Sequence, residues 1–174
     1  MHPSFESLQA TFTNELNKLT PEALERHPNE DHARWNARQI VEHLILTYRL
    51  SSKTFTERLK KSRPTHSQPN FKQRIAQIAL LRFGYFPNGI KAPEPVVPSS
   101  APTEVIDGLR LAASYAQALQ AMDAQLVQCE QHFGKIPFAT HQVLGPITPS
   151  QWRRFHIVHG RHHLSQLQKL SPRP

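Results

Sequence analysis

A single cysteine, Cys129, and two methionines are all the sulfur this chain carries. An intramolecular disulfide and a cysteine-rich zinc site are therefore excluded. No run of about 18 apolar residues occurs, so no membrane-spanning helix is expected. The opening residues, MHPSFESLQATF, lack the basic start and apolar centre of a secretory signal. Together these absences lead to the expectation of a cytoplasmic protein. Acidic residues are also scarce: 13 Asp and Glu face 21 Lys and Arg, a formal net charge of +8 with histidines neutral. That surplus permits an acidic partner without establishing one. Its densest cluster, Lys60, Lys61 and Arg63, precedes Pro64 and reads as a solvated helix end, where cations suit the dipole. Aromatic platforms and nucleic-acid motifs are missing, so nucleic acid is not expected as the main ligand. No repeat at a fixed period and no convincing strand-period segment appears.

What is present is helical periodicity over most of 174 residues, enough for one domain, 1–174, with a core. Phe5, Leu8, Phe12, Leu16 and Leu19 predict a first helix over about 4–18. Thr20-Pro21 reads as a cap with proline at the first position of a short helix. The polar segment 28–35 is a loop, and Asn36 caps a long helix from Ala37 to about Lys61. Its buried stripe is expected to hold Ile40, His43, Leu44, Thr47, Tyr48, Phe55 and Leu59. After a loop at 62–70, Phe71 to Phe83 predicts a further helix packing through Ile75, Ile78, Ala79 and Leu81. It stops at Gly84, and Pro87-Asn88-Gly89 marks a turn. Four prolines in KAPEPVVPSSAP (91–102) forbid a helix or central strand and predict a crossing loop. Thr103 is expected to cap a third long helix over about 104–132, with Val105, Leu109, Ala112, Ala116, Leu119, Met122, Leu126 and Cys129 inside and Gly134 as the stop. Segment 135–148 reads as a loop. Thr148-Pro149, with Gln151 completing a capping box, opens a fourth long helix. The predicted class is all-α, a four-helix bundle with short additional helices and a proline-rich crossing loop.

That last helix, QWRRFHIVHGRHHLSQLQKL, poses the chemical question. Trp152, Phe155, His159, His163, Gln166 and Leu170 form one stripe, with imidazoles where aliphatic side chains belong. A buried polar ring without a partner costs on the order of 1–3 kcal/mol. Of the four histidines on this helix, only His159 and His163 stand four apart, the spacing of the two zinc-binding histidines in HExxH helices. The intervening Gly160, Arg161 and His162 supply no glutamate, which argues against a zinc protease but not against a metal. His43, on the other core stripe, is the best third ligand. Taken alone, it is better explained as a core histidine bonded to a carbonyl. Zinc or nickel is the foremost expectation, with iron(II) or manganese acceptable to the same donors. His156 and His162 flank the ligands as supporting groups, surface residues or alternative ligands. Gln166 and His141 are further candidates for support, and the loop residues His32 and His141 could line a site mouth. Histidine abundance, 11 in all, is the competing explanation for the cluster.

Two blocks of this chain, ARWNARQIVEHL and LGPITPSQWRRFHIVHGRHHLSQL, resemble the DinB-like superfamily of proposed metalloenzymes. The matching features are Trp35, His43-Leu44, the element His159-Gly160-Arg161-His162-His163, and Gln166; RFGYFPNGIKAPEPVVP looks like one of its uncharacterised branches. The resemblance spans most of the chain. It implies a four-helix bundle, a divalent-metal site on His43, His159 and His163, and a homodimer. Related branches act as thiol-dependent transferases or isomerases, with the metal holding the sulfur of a low-molecular-weight thiol. Two classes of function follow. One is an enzyme acting on a small-molecule substrate by thiol transfer or hydrolysis at an open three-histidine site. The other is a non-catalytic, metal-stabilised binding module of a stress response, which calls for a fourth ligand from His156, His162 or His32. Arg153, Arg154 and Arg161 could bind an anionic substrate, although exposed arginines on a helix are ordinarily solvated.

Overall fold

The computed structural model describes residues 1–87, 89, 91–101 and 106–170. The chain is mostly helical, with six α-helices and one two-stranded hairpin among the described residues. The helices are α1 (Pro3–Leu16), α2 (Pro21–Glu25), α3 (Ala37–Lys61), α4 (Phe71–Gln77), α5 (Gly108–Phe133) and α6 (Pro149–Leu170). None is long and apolar enough to cross a membrane.

Local chemistry sets the ends of the two helices that matter most. At α3 the Asn36 side chain accepts the Gln39 N–H at 2.9 Å, and the Gln39 side chain accepts the Asn36 N–H at 3.1 Å. Two orphan N–H groups are thereby satisfied reciprocally. The helix closes at Ser62, left-handed at φ 49°, with Arg58, Lys60 and Lys61 in its last turn. Thr148 and Gln151 form the same reciprocal box at α6, at 3.2 and 2.9 Å. Thr20 accepts the Ala23 N–H at 3.2 Å and starts α2.

The hydrophobic core runs continuously between α1, α3, α5 and α6, around the fully buried Phe5, Phe12, Tyr48, Phe55, Tyr115, Leu119, Met122 and Leu126. α5 packs along α3 and α1, and α6 lies against α1, α3 and α5. This arrangement places the N-terminal half of α3 beside the middle of α6.

Several expectations need correction. Ile75 and Ile78 do not pack: they are 52% and 54% exposed. α4 runs into a wide π turn, Ile78–Arg82, in which Phe83 N–H reaches back five residues to the Ile78 carbonyl at 3.3 Å. The wider turn rotates the face, so Leu80 is buried instead. α5 starts at Gly108 with Asp107 as its cap, accepting the Arg110 N–H at 2.7 Å. Leu109 then falls on the solvent face, 70% exposed, and Leu111, Tyr115 and Ala118 join the buried face. Thr103, Glu104 and Val105 lie outside the described residues, as do Asn88 and Pro102. The segment expected to be plain loop before α6 holds the hairpin, Ala139–His141 paired antiparallel with Gly145–Ile147. Strands of three residues, one with a central proline, are too short to show alternation. The proline-rich crossing loop forms a short 3-10 turn at Glu94–Val96 and buries Val96.

Gly108 marks a close crossing. A Cβ there would stand 2.1 Å from the Leu16 carbonyl oxygen and 2.9 Å from its carbon, where the end of α1 meets α5. Backbone cannot yield as a side-chain tip can, so Gly108→Ala is expected to destabilise by about 2–3 kcal/mol, the upper range for overpacking. Exposed Gln117→Ala on the same helix is expected to stay within about 0.5 kcal/mol. Urea denaturation of the two variants measures the contrast.

Candidate metal centre

Three buried histidines converge where α3 meets α6. His43 comes from the second turn of α3, and His159 and His163 from successive turns of α6. His43 Nε2 lies 3.2 Å from His159 Nε2, and His163 Nε2 lies 3.0 Å from the same atom. One ligand atom from each ring falls within 4.8 Å of the other two, close enough to hold one metal ion. Bonds of about 2.0–2.1 Å from one ion place neighbouring nitrogens about 3.0 Å apart at right angles and about 3.4 Å apart in a tetrahedron. The two spacings from His159 Nε2 fall in that interval.

The far side of two rings is fixed. His43 Nδ1–H donates to the Val96 carbonyl at 2.7 Å, and His163 Nδ1–H donates to Gln166 Oε1 at 2.8 Å. Each bond selects the tautomer that leaves an Nε2 lone pair turned inward. The Gln166 amide nitrogen donates onward to His162 Nε2 at 3.1 Å. His159 Nδ1 is buried with no hydrogen-bond partner among the described residues. Aromatic rings close the surroundings. Phe155 and Phe86 stack on His159 with centroids at 5.3 and 5.1 Å, and Trp35 lies 4.9 Å from His43.

Burial holds all three rings in the neutral form. It depresses His43, and it depresses His159 strongly with the help of His163 and His43 beside it. His163 is pushed down to about 3, chiefly by burial and then by His43. Neutral imidazole is the form that binds a metal.

The family model described as a protein of unknown function, DUF1569, matches residues 1–170. This chain belongs to the DUF1569 family. No curated protein and no solved structure matches it.

The remaining histidines of this DUF1569 chain take other places. His162 is half-buried and meets the centre through Gln166 and through its own ring, which lies 5.1 Å from that of His163. His156 is fully buried but faces away, between Trp152 and Tyr48, and neither of its nitrogens has a partner among the described residues. It makes no hydrogen bond to the three histidines. His141 caps the hairpin turn, accepting the Val143 and Leu144 N–H groups at 3.1 and 3.2 Å through Nδ1. Its ring packs on Phe155 and Trp152. His32 is exposed and lies against His27. Arg153 is buried and paired with Glu130 at 2.9 Å and Asp123 at 3.9 Å. Sequence reasoning placed Phe155 on the stripe of His159 and His163 but missed Val96 and Phe86 as neighbours of the centre. Val96 contributes only a backbone oxygen, which no side-chain pattern announces.

Acid should expose the cost of these neutral rings in metal-free protein. Burial depresses His141 to about 4 and His156 and His163 to about 3. An unfolded histidine titrates near 6.5. Above that pH the rings are neutral in both states and add no pH dependence. Below it the unfolded chain takes up protons the folded chain refuses, so stability falls as pH drops from about 6.5 towards 4. Each ring contributes a slope on the order of 1 kcal/mol per pH unit. Urea midpoints of chelator-treated protein at pH 7, 6 and 5 are expected to fall in that order, with His156→Leu giving a shallower decline.

Proposed function

We propose that this DUF1569 protein is a divalent-metal-dependent enzyme whose open three-histidine site carries out thiol-dependent transfer or hydrolysis on a small-molecule substrate. One observation carries the reading. Among the described residues, the group formed by His43, His159 and His163 includes no fourth His, Cys, Asp or Glu. Three protein ligands with positions left over are the pattern of catalytic rather than structural sites. A divalent ion bound there supplies Lewis acidity, lowering the pKa of a water or thiol so that a nucleophile exists near neutral pH.

The chain's own residues do the rest. The Val96 carbonyl and Gln166 hold two imidazoles in register, and Trp35, Phe86 and Phe155 exclude water from the sides. Imidazole donors suit zinc and nickel first and iron next, while manganese prefers oxygen. The resemblance to the DinB-like superfamily supports thiol transfer over hydrolysis. It also supports a four-helix bundle of α1, α3, α5 and α6 and a homodimer. A second reading, a metal-stabilised binding module, is favoured by a different observation: the ligands join two helices, and no carboxylate stands in their group to move a proton.

Metal analysis of purified protein tests the ligand set. Wild type is expected to retain about one equivalent of ion, and His43→Ala, His159→Ala and His163→Ala to lose most of it. Stoichiometric metal in all three variants would sink the triad. Gln166→Leu is expected to weaken affinity by about 10-fold or more, the usual effect of removing a partner that orients a ligand. With metal established, turnover of electrophiles with low-molecular-weight thiols separates enzyme from module. Binding without turnover across the panel favours the module.

A further inference from the structure

The groove between α6 and the Phe83–Phe86 segment is, we propose, the substrate pocket of this centre, built for a small organic anion with an apolar body. The proposal rests on the metal-enzyme reading above and adds the substrate's charge and shape. The groove encloses about 510 Å³, within the range of roughly 300–1,000 Å³ typical of small-molecule sites. No Asp or Glu lines it, but two arginines do, Arg154 and Arg161. They stand two turns apart on one side of α6, with Val158 between them.

Neither arginine is paired with a carboxylate among the described residues. Arg38 and Arg153, both buried, are paired with carboxylates. Arg154 instead donates Nε–H to the Leu81 carbonyl at 3.1 Å, which orients the guanidinium. Its terminal nitrogens, and the whole Arg161 side chain, meet no carboxylate among the described residues. Gly84, at φ +67°, lines the groove beside Arg154. An oriented guanidinium with free N–H groups suits a carboxylate, phosphate or sulfonate.

The apolar part of the pocket is equally specific. Phe83 and Tyr85 border it while 72% and 63% exposed, a costly placement for aromatic rings with no occupant. Phe86 forms the inner wall, with its ring 4.7 Å from His162 and 5.1 Å from His159. Phe86 thus borders both the groove and the His159 ring. A ligand whose acid group meets the arginines rests its body on these aromatics and approaches that wall.

Fluorine NMR titration of the metal-loaded protein with a trifluoromethyl benzenesulfonate, and with its neutral methyl sulfone counterpart, tests this. Sulfonate is a poor metal ligand, so its binding reports on the arginines. In the Arg154→Gln/Arg161→Glu double variant the sulfonate is expected to bind about 10-fold or more weakly, as loss of charge-assisted bonds implies, with the sulfone little changed. Phe83→Ala should weaken both. Nickel-loaded protein should broaden the bound fluorine signal and zinc-loaded protein should not. Undiminished sulfonate affinity in the double variant overturns the pocket, as does an equal loss for the sulfone. Arginine-dependent binding without nickel broadening overturns its service to the centre. Failure of the wild-type protein to take up nickel, with arginine-dependent binding intact, contradicts the metal reading and leaves an anion pocket standing.

Discussion

Three imidazole nitrogens turned towards one another in a buried place cannot all be protonated, and the rest of the site follows from that constraint. The Val96 carbonyl and Gln166 claim the Nδ1–H groups of His43 and His163, so both inward nitrogens carry lone pairs. His159 Nε2 faces both at 3.2 and 3.0 Å. One N–H on that atom can satisfy only part of the lone-pair density converging there. Protonating a second ring places like charges within contact where water cannot screen them. A divalent cation answers all three nitrogens at once.

The same constraint explains why the proline-rich loop is held so firmly to α3. Arg38 and Gln39 both donate to the Ser99 carbonyl, at 3.1 and 3.2 Å, and the Ser99 N–H donates to Glu42 at 3.2 Å. Gln39 also closes the capping box of α3. One helix turn thus starts α3, anchors the loop and sets the height at which Val96 meets His43. Prolines suit this loop because they reduce the freedom lost on ordering it while leaving carbonyls free to accept. On the other side, α6 carries two of the three histidines, Gln166 and both groove arginines, so the arrangement depends largely on one helix and its box at Thr148 and Gln151.

Much of this was legible in the residues. The caps at Asn36 and Thr148 gave the starts of α3 and α6, because side-chain capping is local. The i, i+4 spacing of His159 and His163 put them on one face, and the stripe through Ile40, His43 and Leu44 turned His43 inward. What stayed hidden is non-local or hinges on small angular offsets. Thr103 reads as well as Asp107 as a cap, and the true start at Gly108 rotates Leu109 outward. α4 leaves Ile75 and Ile78 on the surface, and the π turn after Gln77 buries Leu80 instead. His141 resembles a site residue by type, but the hairpin turn uses its nitrogen. His156 shares a helix with the ligands yet sits three residues before His159, about sixty degrees round the helix, which suffices to send it into the Tyr48 and Trp152 cluster.

The most direct measurement is the nitrogen NMR spectrum of the histidine rings, recorded on chelated protein and again as zinc is added. The structure predicts protonated Nδ1 on His43 and His163 before metal, with their Nε2 signals and that of His159 moving together to coordinated values at one equivalent. Unchanged spectra on addition of metal, or coordination through His156 or through the Nδ1 atoms of His43 and His163, would contradict the account.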